Sequence, residues 1–323
     1  MGSGLPSVAG GAGRLEWAGL PELVRRGLEG LLGGGVVEAV SQPGGFTPGL
    51  ASRLVLGDGR RVFVKATGPD PHTYAPEKLR REARIAGLLP PTLPAPRLMG
   101  IYDDGSWIAV VFEDVDGTPP AQPWHRDELD RVLAAVAAFG RIADPSPVPA
   151  PPLVEDWAAD LVGWRLLAGM PVSACPDGID PWAWRHLDRL AALESGWPDA
   201  AAGEALLHGD LRADNILLTP DQVVFVDWAS ACVGAPWVDL VFLLPSVAMQ
   251  GGPDAEEVVA THPVTRGVDP DALTAMLASV AGFFVSVGLE PAPPGLPTVR
   301  AFQLAQGAAA VRWLRHRLGE EQP

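Results

Sequence analysis

Lysine is almost missing from this chain: Lys65 and Lys78 stand against 22 arginines. Cysteine is as scarce, and Cys175 and Cys232 are too far apart to suggest a disulfide framework or a metal-ligand spacing, so both read as free buried thiols. Basic charge is outweighed by 39 acids against 24 bases, a formal net charge of −15. Phosphates would be repelled by that surplus, and no basic stripe relieves it, which argues against a nucleic-acid partner. No basic segment leads into an apolar block and a cleavage site; the start reads MGSGLPSVAGGAGRLEWAG, and a cytoplasmic location is expected. A membrane span is not expected either, because the longest uncharged run, from Leu273, stops at Glu290 after about seventeen residues, short for a bilayer. A buried core helix fits that run better.

What is present is 323 residues with 47% apolar side chains, enough for one large core or two smaller ones. The charge is unevenly spread: residues 1–117 carry 13 acids and 12 bases, the remainder 26 acids and 12 bases. The second part therefore owns the negative field. Strand signals dominate from Gly33 to Ala66, as VVEAVS, LASRLVL and RRVFVKA, the last two separated by the hairpin turn Gly57-Asp58-Gly59. PEKLRREARIAGLL suits a helix with Pro76 in its first turn, and SWIAVVFED at 106–114 a further strand. From there the pattern is helical: DELDRVLAAVAAFGRI, EDWAADLVGWRLLAG, PWAWRHLDRLAALE, and stretches near 237–249, 270–288 and 297–318. The expected fold is α+β in two lobes. Residues 1–32 form an extension with a helix, 33–117 a lobe of antiparallel sheet plus one helix, and 118–323 a larger, mostly helical lobe.

One stretch interrupts the helices. LLHGDLRADNILLTPDQVVFVDW, residues 206–228, reads as loop, strand, turn and strand. Pairing of its strands returns Asp227 to the loop that holds Asp210 and Asn215. Two aspartates and an asparagine around one cavity make an oxygen-rich site suited to Mg²⁺, which takes few protein ligands beside substrate phosphates. The five-residue step from Asp210 to Asn215 is that between the catalytic Asp and the metal-binding Asn of a kinase catalytic loop, with Asp227 placed as the second metal-binding Asp.

On His208-Gly209-Asp210-Leu211, Asn215 and Val226-Asp227-Trp228 the chain resembles the aminoglycoside phosphotransferases and their relatives, small-molecule kinases on the protein-kinase-like fold. The resemblance runs from about Val36 to Trp313. It implies ATP (or GTP) and Mg²⁺, with Asp210 catalytic, Asn215 and Asp227 on the metal, and a small hydroxylated acceptor, in a monomer or homodimer. Arg212 is either a neutraliser of the transferred phosphate or a surface arginine, and Asp214 has no evident role. The resemblance also makes Glu113-Asp114-Val115 the hinge, with Glu113 and Val115 meeting adenine through their backbones, and Asp239 a brace of the catalytic loop. A protein kinase is disfavoured because Asp227-Trp228-Ala229 replaces Asp-Phe-Gly and no Ala-Pro-Glu follows. A pseudokinase would be expected to have lost the Lys, the Asp or a metal ligand.

Lys65 ends an apolar strand in a chain that otherwise chooses arginine, and the resemblance gives it the nucleotide phosphates. Its partner should be a carboxylate on the next helix. Glu82 shares a face with Leu79, Ala86 and Leu89, whereas Glu77 neighbours Arg80, Arg81 and Arg84, so Glu82 is the inward one. The loop PGGFTPG offers Gly44, Gly45, Phe46 and Thr47 as phosphate contacts, departing from G-x-G-x-x-G. For the acceptor, the negative field favours a cation such as an amine-bearing antibiotic or amino alcohol, over a neutral sugar. Asp156 and Asp160, i and i+4 on one helix, with Glu155 beside them, are candidates to receive it, or else form a solvated face.

Overall fold

The computed structural model describes residues 14–42, 49–69, 74–170, 175–293 and 296–320. The glycine-loop candidates Gly44, Gly45, Phe46 and Thr47 lie outside them. Five strands, β1 (Val36–Ser41), β2 (Leu50–Leu56), β3 (Arg61–Thr67), β4 (Leu98–Asp103) and β5 (Ile108–Glu113), form an antiparallel sheet in the order β1-β2-β3-β5-β4. Alternation along β3 decides which residue faces where. Val62, Val64 and Ala66 point into a cluster with Val24, Leu28 and Leu32 of helix α1 (Glu22–Leu32). Phe63 faces the opposite way, toward Leu79, Ala83 and Ala86 of helix α2 (Ala75–Ala86). Lys65 has the parity of Phe63 and so emerges on the α2 side. Both faces of the sheet are thus covered, α1 closing the one that α2 does not.

Residues 118–320 are mainly helical and share one large core. Helix α3 (Arg126–Ile142) buries Leu129, Val132, Val136 and Phe139 at helical spacing. The helix Pro270–Gly288 packs along Val299–Arg317; it is long and apolar enough to cross a membrane, and 72% of it is buried inside the fold. Two small hairpins carry the quoted motif. In the first, β6 (Ala205–Leu207) pairs with β9 (Cys232–Gly234), and in the second β7 (Ile216–Leu218) pairs with β8 (Val223–Phe225). The sheet lobe joins this part through Thr118, which exchanges both backbone hydrogen bonds with Leu218, and through Arg81.

The expected long helix EDWAADLVGWRLLAG is a correction: it is two short pieces, Leu153–Asp156 and Gly163–Ala168. The buried Glu194 carboxylate causes the restart, accepting the backbone N–H groups of Trp164 at 2.9 Å and Arg165 at 3.1 Å and so capping the second piece from 30 residues away.

Candidate active site

The site grows from the two hairpins. His208, Gly209 and Asp210 follow β6, and Asn215 ends a turn that opens β7. The Val226 N–H donates to the Asn215 carbonyl at 2.9 Å, so the β7–β8 pairing delivers Asp227 beside the loop. Gly209 has φ +77°, and a Cβ there would lie 2.3 Å from the Ser230 carbonyl oxygen, so both conformation and space require glycine. Asp239, buried at the start of the helix Val238–Met249, accepts the N–H groups of His208 at 2.8 Å and Gly209 at 2.9 Å. That brace fixes the loop's entry. His208 is buried and accepts the Asp210 N–H at Nδ1, which puts its proton on Nε2, 2.9 Å from the Val226 carbonyl. Burial pushes the imidazole pKa down, so the ring holds the loop as a neutral donor and acceptor.

Asn215 Nδ2 donates to the Asp210 carbonyl at 2.8 Å and stands 3.3 Å from Oδ2 of Asp210. Burial raises the Asp210 pKa, against the cations Arg212 and Lys78. Arg212, between the roles left open for it, is half-buried and spans two carboxylates. It contacts Asp210 and holds Asp214 with Nε at 3.0 Å and Nη2 at 3.1 Å. Asp214 thereby orients the guanidinium on the Asp210 carboxylate, a role the sequence did not reveal. Asp227 adopts the left-handed conformation, φ 70° and ψ 62°, the only non-glycine residue among those described with positive φ. A bulky β-branched residue would be strained there.

Lys65 Nζ lies 2.7 and 2.9 Å from the Glu82 oxygens and 3.1 Å from Asp227 Oδ1. Glu77 is exposed and faces Arg84 at 3.4 Å, so of the two competing glutamates Glu82 is the one at Lys65. Burial disfavours the ammonium, but Asp227 and Glu82 outweigh it and raise the Lys65 pKa. Burial opposes charge on Asp227 as well, and Lys65 and Lys78 overcome it, holding that carboxyl well below the usual carboxylate range. On the resemblance drawn from the sequence, Lys65→Ala and Glu82→Ala are each expected to raise KM for the nucleotide. The double mutant should cost less than their sum, with a coupling of about 0.5–3 kcal/mol, and Glu77→Ala should do little. A double-mutant cycle in which Lys65 couples to Glu77 instead would overturn this pairing.

Around these residues lies a cavity of about 510 Å³ between the sheet and the hairpins. Leu50, Phe63, Phe112, Leu217 and Val226 are among its apolar lining residues, and Lys65, Lys78, Glu82, Asn215 and Asp227 among its polar ones. Glu113, Asp114 and Val115 line it as well. Arg53 ties this segment down, with Nη2 2.8 Å from the Val115 carbonyl and Nε 3.1 Å from Asp114. The Glu113 N–H donates to the Arg97 carbonyl at 3.0 Å. Asn215 and Asp227 present hard oxygen donors to one space, a set that fits Mg²⁺, which keeps waters and phosphates as its other ligands. Among the described residues no group of three His, Cys, Asp or Glu forms a self-sufficient metal cage.

The carboxylates expected at the acceptor do not form one helical face, because the helix ends at Asp156. Asp156 is spent on Arg81 of α2, at 2.8 and 2.6 Å, and Arg81 also donates to the Ala231 carbonyl at 2.9 Å. It therefore ties α2 to the segment after Asp227. Asp160 lies at the surface, where desolvation by its neighbours and the charges of Asp156 and Glu290 raise its pKa. Glu155 is exposed. Sequence reasoning missed Lys78 and Arg14, both of which line the cavity. Lys78 was within reach, four residues before Glu82 on the same helix; Arg14 carried no signal.

The sequence profile of the phosphotransferase enzyme family matches residues 49–279. Among curated proteins, acyl-CoA dehydrogenase family member 11 of Mus musculus is 25% identical over 151 residues, 38% of this chain and 19% of that protein, and the Rattus norvegicus protein gives the same figures. The chain thus spans about a fifth of the length of the curated relatives it matches. Many solved structures share its fold. A thermostable mutant of aminoglycoside phosphotransferase APH(4)-Ia, in ternary complex with ADP and hygromycin B, is 15% identical, with a TM-score of 0.60 over 90% of this chain and 98% of that one. A putative fructosamine-3-kinase from Haemophilus somnus 129PT is 14% identical, with a TM-score of 0.54 over 88% and 96%. A choline/ethanolamine kinase family protein from Mesorhizobium loti is 18% identical, with a TM-score of 0.51 over 83% and 88%.

Proposed function

The chain belongs to the phosphotransferase enzyme family, and from that premise we propose that it transfers the γ-phosphoryl group of ATP to a hydroxyl of a small, amine-bearing molecule. The observation that carries this reading is the convergence of Asp210, Asn215, Asp227 and the Lys65–Glu82 pair beside one half-apolar cavity. In this reading adenine lies on the apolar lining, against the backbone of Glu113 and Val115, and the phosphates run toward Lys65. Asn215 and Asp227 would hold Mg²⁺, whose chemistry there is neutralisation of phosphate charge. Asp210 orients the acceptor hydroxyl and takes its proton. The hydroxyl oxygen bonds to the γ-phosphorus as the bond from that phosphorus to the departing ADP oxygen breaks. Arg212, fixed by Asp214, opposes the burial that raises the Asp210 pKa and so favours the charged form that a proton acceptor needs. Most of the acceleration then comes from positioning and charge, the pattern of phosphoryl transfer.

The amine on the acceptor is supported by the surplus of acids after residue 117, a field that draws cations toward the helical part of the chain. With Asp156 taken by Arg81, Asp160 and Glu155 are the carboxylates of that group left to meet it. The test is a phosphotransfer assay over aminoglycosides, cyclic peptide antibiotics, macrolides, choline-like alcohols and neutral sugars at low and high salt. The preferred acceptor should be cationic, with kcat/KM that falls as salt rises. A neutral acceptor with salt-independent kcat/KM would remove the amine from the proposal, and nucleotide binding without transfer to any hydroxyl would favour a regulatory module.

A further inference from the structure

Helix α2 meets the two parts of the chain with different faces. Leu79, Ala83 and Ala86 pack on the sheet, whereas Ile85, followed by Leu89 and Leu93, joins the large core of the helical part. Arg81 stands one turn before Ile85 and shares its face, the polar head of that second stripe. Its guanidinium grips Asp156 with two prongs, Nη1 at 2.8 Å and Nη2 at 2.6 Å, and Nη2 also donates to the Ala231 carbonyl at 2.9 Å. The neighbouring arginines are used differently: Arg80 bonds Asp103 of β4, and Arg84 faces Glu77 of α2 itself.

Both anchors of Arg81 are themselves held. Asp156 follows the fully buried Leu153, and the Val233 N–H donates to the Pro151 carbonyl at 2.8 Å, which straps this segment to β9. Ala231 closes the turn Trp228–Ser230 that starts next to Asp227, its N–H on the Trp228 carbonyl at 3.2 Å. That turn also abuts the loop of Asp210, since the Ser230 carbonyl occupies the space beside Gly209.

We propose that Arg81 is a positioning residue for phosphoryl transfer: by pinning α2 to Asp156 and to the turn after Asp227, it holds the adjacent Glu82 in register with Lys65 and Asp227. The assignment rests on the phosphotransfer reading and deepens it. Glu82 and Asp227 meet at Lys65 Nζ, at 2.7 and 3.1 Å, yet one is carried by α2 and the other by the segment after β8. Arg81 ties those two carriers together by a route that does not pass through Lys65. A planar fork on a carboxylate sets direction as well as distance, which a point charge would not. An exposed ion pair would contribute little, but these side chains are only 27% and 20% exposed and three hydrogen bonds converge on one guanidinium.

The experiment is titration of the full chain with ATP and with adenosine in Mg²⁺, comparing the parent with Arg81→Met, Arg81→Lys, Asp156→Ala and the surface control Arg84→Met. Arg81→Met should weaken ATP by roughly tenfold, mid-range for residues within one hydrogen-bonded network, and leave adenosine, which has no phosphates for Lys65, unchanged. Asp156→Ala should act in the same direction, Arg81→Lys should recover part of the loss, and Arg84→Met should match the parent. In a Glu82→Gln background Arg81→Met should cost ATP little more, because the side chain it positions is already lost. A merely structural role would weaken both ligands and add to the Glu82→Gln loss. ATP bound by Arg81→Met and Asp156→Ala as tightly as by the parent, equal losses for ATP and adenosine, or full additivity with Glu82→Gln would sink the assignment alone. Should Arg81→Met fail to fold, Asp156→Ala, which leaves α2 unaltered, decides by the same comparisons. A parent that binds neither ligand would sink the phosphotransfer reading and this one with it.

Discussion

Asp210→Asn is expected to leave Mg·ATP affinity nearly unchanged while turnover falls by roughly 10²–10⁴, the range that removal of a general base costs. Of the contacts that position the loop, only those of the Asp210 carboxylate with Arg212 and with Asn215 Nδ2 involve the lost charge. The Asn215 side chain donates to the backbone carbonyl of residue 210, His208 and Gly209 are held by Asp239, and Arg212 keeps its two-pronged grip on Asp214. Asparagine preserves the size of the side chain, so the acceptor hydroxyl still meets an oxygen, but not one able to take its proton. Nucleotide titration and single-turnover transfer, measured on the same preparation, separate the two effects. Equal losses of affinity and turnover would show that residue 210 serves the nucleotide rather than the acceptor.

The parts of this site that were legible in the sequence are those fixed by short-range geometry. The run from His208 to Asp227 is one strand pairing with its loop, so spacing alone brings Asn215 and Asp227 together. Period two along β3 and period 3.6 along α2 were enough to aim Lys65 and Glu82 at each other. The α+β architecture followed from the same periodicities, although β4 was missed because LMGIYD carries Gly100 within it and a register shift between Leu98 and Gly100. What the sequence hid depends on residues far apart in it. Asp156 meets Arg81 across 75 positions, and Glu194 restarts a helix 30 residues upstream; each overrides a helical pattern that was locally sound. α1 looked like part of an extension because its partner surface, the face of the sheet away from α2, exists only after the strands assemble.

Asp227→Ala should behave differently from the Asp210 variant, with both Mg²⁺-dependent nucleotide binding and turnover falling together. Two consequences of the change act in the same direction. On the proposed reading a hard oxygen ligand disappears from the site it shares with Asn215, and the loss should reach at least the 10–100-fold in metal affinity that removal of even an outer-shell partner costs. Lys65 also loses the carboxylate 3.1 Å away and collapses onto Glu82 alone, which draws the ammonium off the phosphate path. Asn215→Ala removes a neutral ligand, leaves Lys65 undisturbed, and should be partly rescued by raised Mg²⁺, whereas Asp227→Ala should hardly recover. Asp227→Asn is the control for conformation, since asparagine tolerates the left-handed φ of 70° while still lacking the charge. Nucleotide affinity titrated against Mg²⁺ for the three variants decides the matter, and variants that bind Mg·ATP as well as the parent at every Mg²⁺ concentration would remove Asn215 and Asp227 from the metal site.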